Sequence, residues 1–199
     1  SAQRESAKPG DIRFKDLNSD DVLDEQDRTK IGDPWPDFVY GLSLGATWKG
    51  FDFNVFFQGS QGNDVLNMTL RDFESGTGTM NAREDFLNRA WNGEGSTDKY
   101  HRISAEQGQN SEISDYFVED GSYLRLKNLQ LGYNFCERLL KIKGISYLRL
   151  YVSAQNLFTL TKYSGLDPEI GSSNATLNGI DQGFYPQART WTVGLNIKF

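Results

Sequence analysis

The chain of 199 residues carries a formal net charge of −6, is 37% apolar and 13% aromatic, and holds 20 glycines against 5 prolines. No run approaches the ~18 consecutive apolar residues of a spanning helix, which excludes a bundle of membrane helices, and the acidic balance argues against a nucleic-acid partner. The single cysteine, Cys136, excludes an internal disulfide and a cysteine-rich zinc site, while the single histidine, His101, excludes His-pair metal chemistry and makes a Ser-His-Asp triad a poor fit.

The chain opens SAQRESAKPGD, with no initiator Met, basic n-region or apolar h-region, and is expected to be a piece of a longer protein. The first patterned element is DLNSDDVLDEQD, residues 16–27. It fits the EF-hand ligand template, with Asp16, Asn18, Asp20, the Val22 carbonyl, Asp24 and Asp27 at positions 1, 3, 5, 7, 9 and 12. Calcium is a hard cation that takes six to eight oxygens, and a tight loop of this spacing delivers them. Asp21 replaces the usual Gly at the sharp turn, and Asp27 is shorter than the usual Glu. No helix pair flanks the loop, so the expected cofactor is a structural calcium ion rather than one that triggers an opening motion; the plain alternative is a solvated acidic turn.

Residues 38–48, FVYGLSLGATW, alternate with period two, as a strand does. Phe38, Tyr40, Leu42, Leu44, Ala46 and Trp48 share one face. Lys49-Gly50 then reads as a tight turn, and Phe51, Phe53, Val55 and Phe57 resume the alternation, so the two runs form a hairpin. A polar stretch follows from about 60 to 120, in which MNAREDFLNRAW (80–91) is the one helical candidate, with Phe86, Ala90 and Trp91 on a shared face. Strands are next expected at 128–135 (Leu129, Leu131, Tyr133, Phe135 on one face) and 147–155 (Leu148, Leu150, Val152, Ala154), joined by a turn at 136–145. A second long connection covers about 160–187. The final strand sets Trp191, Val193, Leu195, Ile197 and Phe199 against Thr190, Thr192, Gly194, Asn196 and Lys198.

Short and long connections therefore alternate, and the apolar faces carry aromatics at their ends. The opposite faces are polar but poor in Lys and Glu, unlike the solvated face of a soluble sandwich. An outer-membrane barrel has all of these features: an outward apolar band with aromatic girdles, a polar interior, short periplasmic turns and long extracellular loops. If Phe199 is periplasmic, counting back makes 49–50 and 136–145 periplasmic and both long stretches extracellular. Five strands cannot close such a barrel, which needs about eight or more, and free edges are not tolerated in lipid, so the remaining strands must come from other polypeptide. The fold class is thus all-β, a transmembrane antiparallel barrel fragment with long extracellular loops. The expected parts are an extracellular loop segment over 1–36 and barrel strands with their loops over 37–199.

Four stretches in order, GDIRFKDLNSDDVLDEQDRTKIGDPWPDFVYGLSLGATWKGFDFNVFFQGSQGND, FVEDGSYLRLKNLQLGYNF, SAQNLFTLTKYSGLDPEIG and YPQARTWTVGLNIKF, resemble the SusC/RagA-like TonB-dependent outer-membrane transporters of Bacteroidetes. The resemblance implies the C-terminal portion of a barrel of about 22 strands. It also implies a plug and barrel remainder elsewhere in the same transporter, a SusD-like surface lipoprotein partner, the TonB complex as energy source, and outer-membrane lipid around the strands. The function implied is uptake of large nutrients, oligosaccharides or peptides. TWTVGLNIKF resembles the signal read by the barrel-assembly machinery, carried by Trp191, Val193, Leu195, Ile197 and Phe199.

Trp91, Tyr100, Tyr163, Phe184 and Tyr185 in the long connections could stack on sugar rings, although loop packing explains them equally well; no substrate residues are assigned. Arg149, Tyr151 and Gln155 are expected on the interior face, chiefly as cross-strand packing. No carboxylate pair sits in an apolar setting suited to acid–base work, so no catalytic residue is assigned and an enzyme is not expected. The alternative is a soluble secreted calcium-binding β-domain that binds carbohydrate.

Overall fold

In the computed structural model, Lys49 and Gly50 both adopt positive φ, 47° and 92°. Two consecutive left-handed residues make the turn whose twist matches a two-residue hairpin, and they join β1 (Phe38–Trp48) to β2 (Phe51–Gln61) with every residue of β1 in register. The structure describes residues 6–74, 81–104, 108–135, 144–171 and 177–199. After the hairpin come β3 (Asp64–Asn67), α1 (Met68–Glu74), α2 (Glu84–Arg89), β4 (Val118–Asp120) and β5 (Tyr123–Phe135). They are followed by β6 (Tyr147–Gln155), β7 (Thr159–Thr161), β8 (Ile180–Asp181) and β9 (Thr190–Lys198).

The described residues fall into two compact units. The first, from Pro34–Asp64, Asp120–Gly171 and Phe184–Phe199, is an antiparallel sheet in the order β1-β2-β5-β6-β9, with β7 also paired to β5. The expected alternation is therefore a meander, and its register aligns the apolar positions in rows. Trp48, Phe51, Tyr133, Leu150 and Leu195 are successive partners, as are Ala46, Phe53, Leu131, Val152 and Val193. Most of this face lies open, Trp48 at 67% and Val193 at 72% exposure.

The strand expected over 128–135 is longer than its alternation suggests. Leu126 pairs with Phe57 and Asn128 with Phe56, so Lys127 is an extra residue with no partner on β2. This bulge shifts the parity of everything before it. Leu124 and Leu126 thus share the apolar face with Leu129 and Leu131, although their spacing says otherwise. β2 likewise runs on to Gln61, past the Phe57 that ends its apolar alternation.

The second unit draws on Ser1–Asp33, Val65–Glu119 and Ser172–Gly183. It thus groups the N-terminal segment with most of the first long connection and with part of the second, whose stretch up to Gly171 belongs to the sheet unit. Val65, Phe86 and Phe117 are its most buried apolar side chains. β3 pairs in parallel with β8, and β4 flanks β3. The helix expected over 80–91 spans only Glu84–Arg89 among the described residues, because Ala90 leaves the helical region at ψ 148°; Met80 lies outside the described residues. Phe86 and Ala90 are buried as expected, whereas Trp91 lies beyond the helix in a bridge to Arg102. Helix α1 was not expected; Asn67 caps it by accepting from the Leu70 N–H at 2.8 Å. No helix among the described residues is long and apolar enough to cross a membrane, which has no bearing on crossing by strands.

Candidate functional site

The acidic loop is ordered by its own side chains. Asp16 accepts from the N–H groups of Ser19 at 2.6 Å and Asp21 at 2.9 Å. Asn18 accepts from Asp20 at 3.0 Å, Asp20 from Val22 at 2.9 Å, and Asp24 from Gln26 at 2.7 Å. Asp27 closes the loop, accepting from Leu17 at 2.7 Å and Asp24 at 3.0 Å, and these N–H donors hold its carboxyl below the usual range. Asp21 sits at φ 63°, the left-handed turn that the template assigns to glycine at that position.

The donor set is all oxygen, as calcium requires, and each carboxylate oxygen keeps a lone pair beyond its N–H partner. Among the described residues, however, no three His, Cys, Asp or Glu side chains gather into a group that could hold a metal. At Asp21 the backbone takes the turn that the template needs. The carboxylates point to the loop's own amides, and an ion would have to draw them together.

On the sheet, the face opposite the apolar rows is polar. Arg149 crosses β5 to reach Asp52, with Nε to Oδ1 at 3.0 Å and Nη2 to Oδ2 at 2.5 Å. Asn134 donates to Asp52 at 3.1 Å and accepts from the Tyr147 hydroxyl at 2.6 Å. The guanidinium also lies 4.9 Å from the Tyr151 ring centroid. Gly132 lies beneath the ion pair: a Cβ there would fall 2.5 Å from Asp52 Oδ1 and 2.7 Å from Arg149 Nη2. Gly194 lies beneath the Tyr151 ring in the same way. The expected interior residues Arg149 and Tyr151 are therefore cross-strand packing, and Gln155 sits between Asn128 and Thr190 in register.

At the other end of the same face is a second charged cluster that the alternation did not suggest. Arg125 is 2% exposed. It donates to Thr159 Oγ1 and Glu169 Oε2, both at 2.8 Å, and to Asp167 Oδ1. Lys127 Nζ reaches both oxygens of Glu169, at 2.8 and 2.7 Å. Burial would raise the Asp167 carboxyl, but the Gln187 N–H, Arg125 and the Glu169 N–H outweigh it and hold the group low. The signal in the sequence was the pair Arg125 and Lys127 in YLRLKN facing the acids of LDPE, which are far apart along the chain.

The second unit has its own polar core. Asp11 binds Arg102 Nε at 2.5 Å, Asn110 Nδ2 at 2.8 Å and the Lys8 N–H at 2.8 Å. Tyr116 donates to Glu74 Oε2 at 2.9 Å, and burial raises both groups above their ordinary values. His101 lies between Phe86 and Tyr116, with ring centroids 5.0 and 5.3 Å away. Its Nδ1 donates to the Arg102 carbonyl at 2.8 Å, which leaves Nε2 buried without a protein partner, and burial holds its pKa down.

Of the five loop aromatics, Tyr163 is buried, Tyr100 stacks beneath Arg89 with 4.7 Å to the ring centroid, and Trp91 lies against Gly10. Phe184 is partly exposed, and Tyr185 is open at 90%. The outward positions Trp191, Val193, Leu195, Ile197 and Phe199 are all exposed. Cys136 lies outside the described residues.

No family model matches the chain. It is 43% identical over 197 residues to TonB-dependent receptor P3 of Formosa agariphila, covering 96% of this chain and 19% of that protein. It is 34% identical over 204 residues to TonB-dependent receptor SusC of Bacteroides thetaiotaomicron, covering 98% of this chain and 18% of that one. Among solved structures, the RagAB peptide transporter superposes with a TM-score of 0.70 at 30% identity, over 83% of this chain and 17% of its own. The chain thus spans about a fifth of the length of the curated relatives it matches.

Proposed function

We propose, from the premise that this chain is a section of a SusC/RagA-like TonB-dependent receptor, that it forms part of the wall of an outer-membrane importer for large nutrients. The apolar rows face lipid and the polar face lines the interior. The protein that contains the chain draws its energy through TonB and works with a SusD-like surface lipoprotein. Its cargo is an oligosaccharide or a peptide; likeness to the RagAB peptide transporter supports the peptide arm. The proteins it resembles are named as receptors and transporters, in keeping with a non-enzymatic role.

The observation that carries this reading is the apolar face, continuous in register across five strands and open from Trp48 to Val193. Each large apolar side chain left in water forgoes about 1.5–3 kcal/mol of burial. A soluble carbohydrate-binding domain would have no cover for this face, whereas hydrocarbon supplies one. β1 and β9 are the sheet's edges among the described residues, where the remaining strands of a barrel would pair.

The test is fractionation of the full-length receptor, followed by pull-down. It should sediment with outer membranes, require detergent for release and co-purify a surface lipoprotein. Release by buffer or high salt alone would refute the reading. The alternating stretch Trp191 to Phe199 is proposed as the segment recognised in barrel assembly.

For the 16–27 loop, Asp16, Asn18, Asp20, Asp24, Asp27 and the Val22 carbonyl would hold calcium, which would stiffen the loop without driving a transition. Calorimetric titration of the full-length receptor should show binding heat that Asp16→Ala with Asp20→Ala abolishes. Absence of heat at millimolar calcium would discard the site.

A further inference from the structure

The register places Arg125 between Gln58 and Thr159 on the polar face, the face we read as the inner wall of the barrel. At that level the wall is covered. Asp167 and Glu169, in the segment that follows β7, fold back over Arg125, and the Gln187 N–H donates to Asp167 Oδ2 at 2.9 Å, which brings in the segment ahead of β9. Arg125 and Asp167 are 2% and 7% exposed, whereas Asn54 and Thr192, farther along the same face, are open.

The bulge explains how four charges meet there. Lys127 and Asn128 together oppose the single residue Phe56, so the wall carries one extra inward-facing cation beside Arg125. Two cations on β5 meet two carboxylates on one short turn, with the formal charges balanced. Thr159 Oγ1 takes the Nε–H of the guanidinium and the Glu169 N–H caps Asp167, so each of the three guanidinium nitrogens of Arg125 has a protein acceptor. Such a cluster is rigid while complete and weak once one carboxylate is lost. Tyr163 packs over Gly165, where a Cβ would run into the ring, and this sets the bend that turns the segment back.

We propose that residues 163–171 form a latched strap on the inner wall, narrowing the import path at the end of the sheet that bears the long connections. The Arg125–Asp167–Glu169–Lys127 cluster is the latch, and its release uncovers the Gln58–Arg125–Thr159 row. This rests on the assignment of the polar face to the barrel interior.

The test uses the full-length receptor in lipid nanodiscs, with Cys136 and any cysteine elsewhere in the receptor replaced by Ser as background, and a water-soluble maleimide as probe. Cysteines are placed singly at Gln58, the half-buried register partner of Arg125, at Asn54 on the open part of the same face, and at Val193 on the apolar face. Asp167→Asn with Glu169→Gln should speed labelling at position 58 about tenfold, because the rate follows the population of the open form. Labelling at position 54 should stay unchanged, and Asp167→Glu, which keeps the charge, should leave position 58 slow. An unchanged rate at 58, or an equal rise at 54, overturns the strap. Rapid labelling at 193 with none at 54 instead overturns the assignment of the faces.

Discussion

Gly132 offers the sharpest test of how the polar face is built. In Gly132→Ala the new methyl would fall 2.5 and 2.7 Å from the two oxygens of Asp52 and 2.7 Å from Arg149 Nη2, so the ion pair must move by about 1 Å to restore ordinary contact. The Arg149 and Asp52 side chains are 15% and 13% exposed. Their coupling therefore lies between an exposed pair, worth about 0–1 kcal/mol, and a buried pair whose disruption costs about 3–5 kcal/mol. Both groups survive the substitution and Asp52 keeps Asn134, so we expect a net loss of about 1–2 kcal/mol. In an Asp52→Ala background the carboxylate is gone and the Arg149 guanidinium, no longer held by it, can swing clear of the new methyl. There the same substitution should be neutral or stabilise by about 0.5–1 kcal/mol, since alanine restricts the unfolded chain more than glycine does. Urea unfolding of the detergent-solubilised full-length receptor, run as a double-mutant cycle, measures the difference. Equal losses in the two backgrounds would refute the idea that Gly132 is kept bare for the ion pair.

Three further outcomes are expected. Lys49 occupies a left-handed position at φ 47° that asparagine tolerates better, so Lys49→Asn should stabilise the hairpin by about 0.5 kcal/mol, read from the same unfolding curves. Gly50→Ala should do the reverse, because its φ is 92° and a Cβ would meet the Asn134 carbonyl at 2.9 Å. The buried pair of titrating groups in the second unit should give opposite pH slopes. His101 is held below 6.5 in the folded protein, so the unfolded chain takes up its proton first and stability falls as pH drops below about 6.5. Glu74 is held above 4.5, so its contribution is greatest below that pH and falls as pH rises through its folded value. Glu74→Gln should therefore become progressively more favourable above pH 4.5, measured by amide exchange in residues 84–104; a pH-independent difference would exclude this account.

Strands β1 and β6 were legible to the residue, and β9 to within one, ending at Lys198 rather than Phe199, because each carries one uninterrupted period of two. The first half of β5 was not, since the bulge at Lys127 reverses which spacing counts as outward, and a single sequence does not mark where a residue lacks a partner. β3, β4 and β8 are two to four residues long, too short for a period, and are defined by pairing. In the acidic loop the turn at Asp21 was legible because it lies within a twelve-residue template, whereas the template's carboxylates do not gather into a group among the described residues. The Arg125 and Asp11 clusters were not, since their partners lie 42 and 91 residues away along the chain.

Gly132 and Gly194 stand in one register row with Asp52 and Tyr151, so bulky and bare positions alternate around the curve of the sheet. Each large side chain on that row can lie sideways into the space its bare neighbour leaves, tangent to the sheet rather than projecting from it. On the inner wall proposed above, a surface tiled in this way would present guanidinium, carboxylate and phenol as a smooth hydrophilic lining while giving up little bore. Filling either glycine would turn a flat tile upright, and the first property to change would be the width of the passage rather than its chemistry.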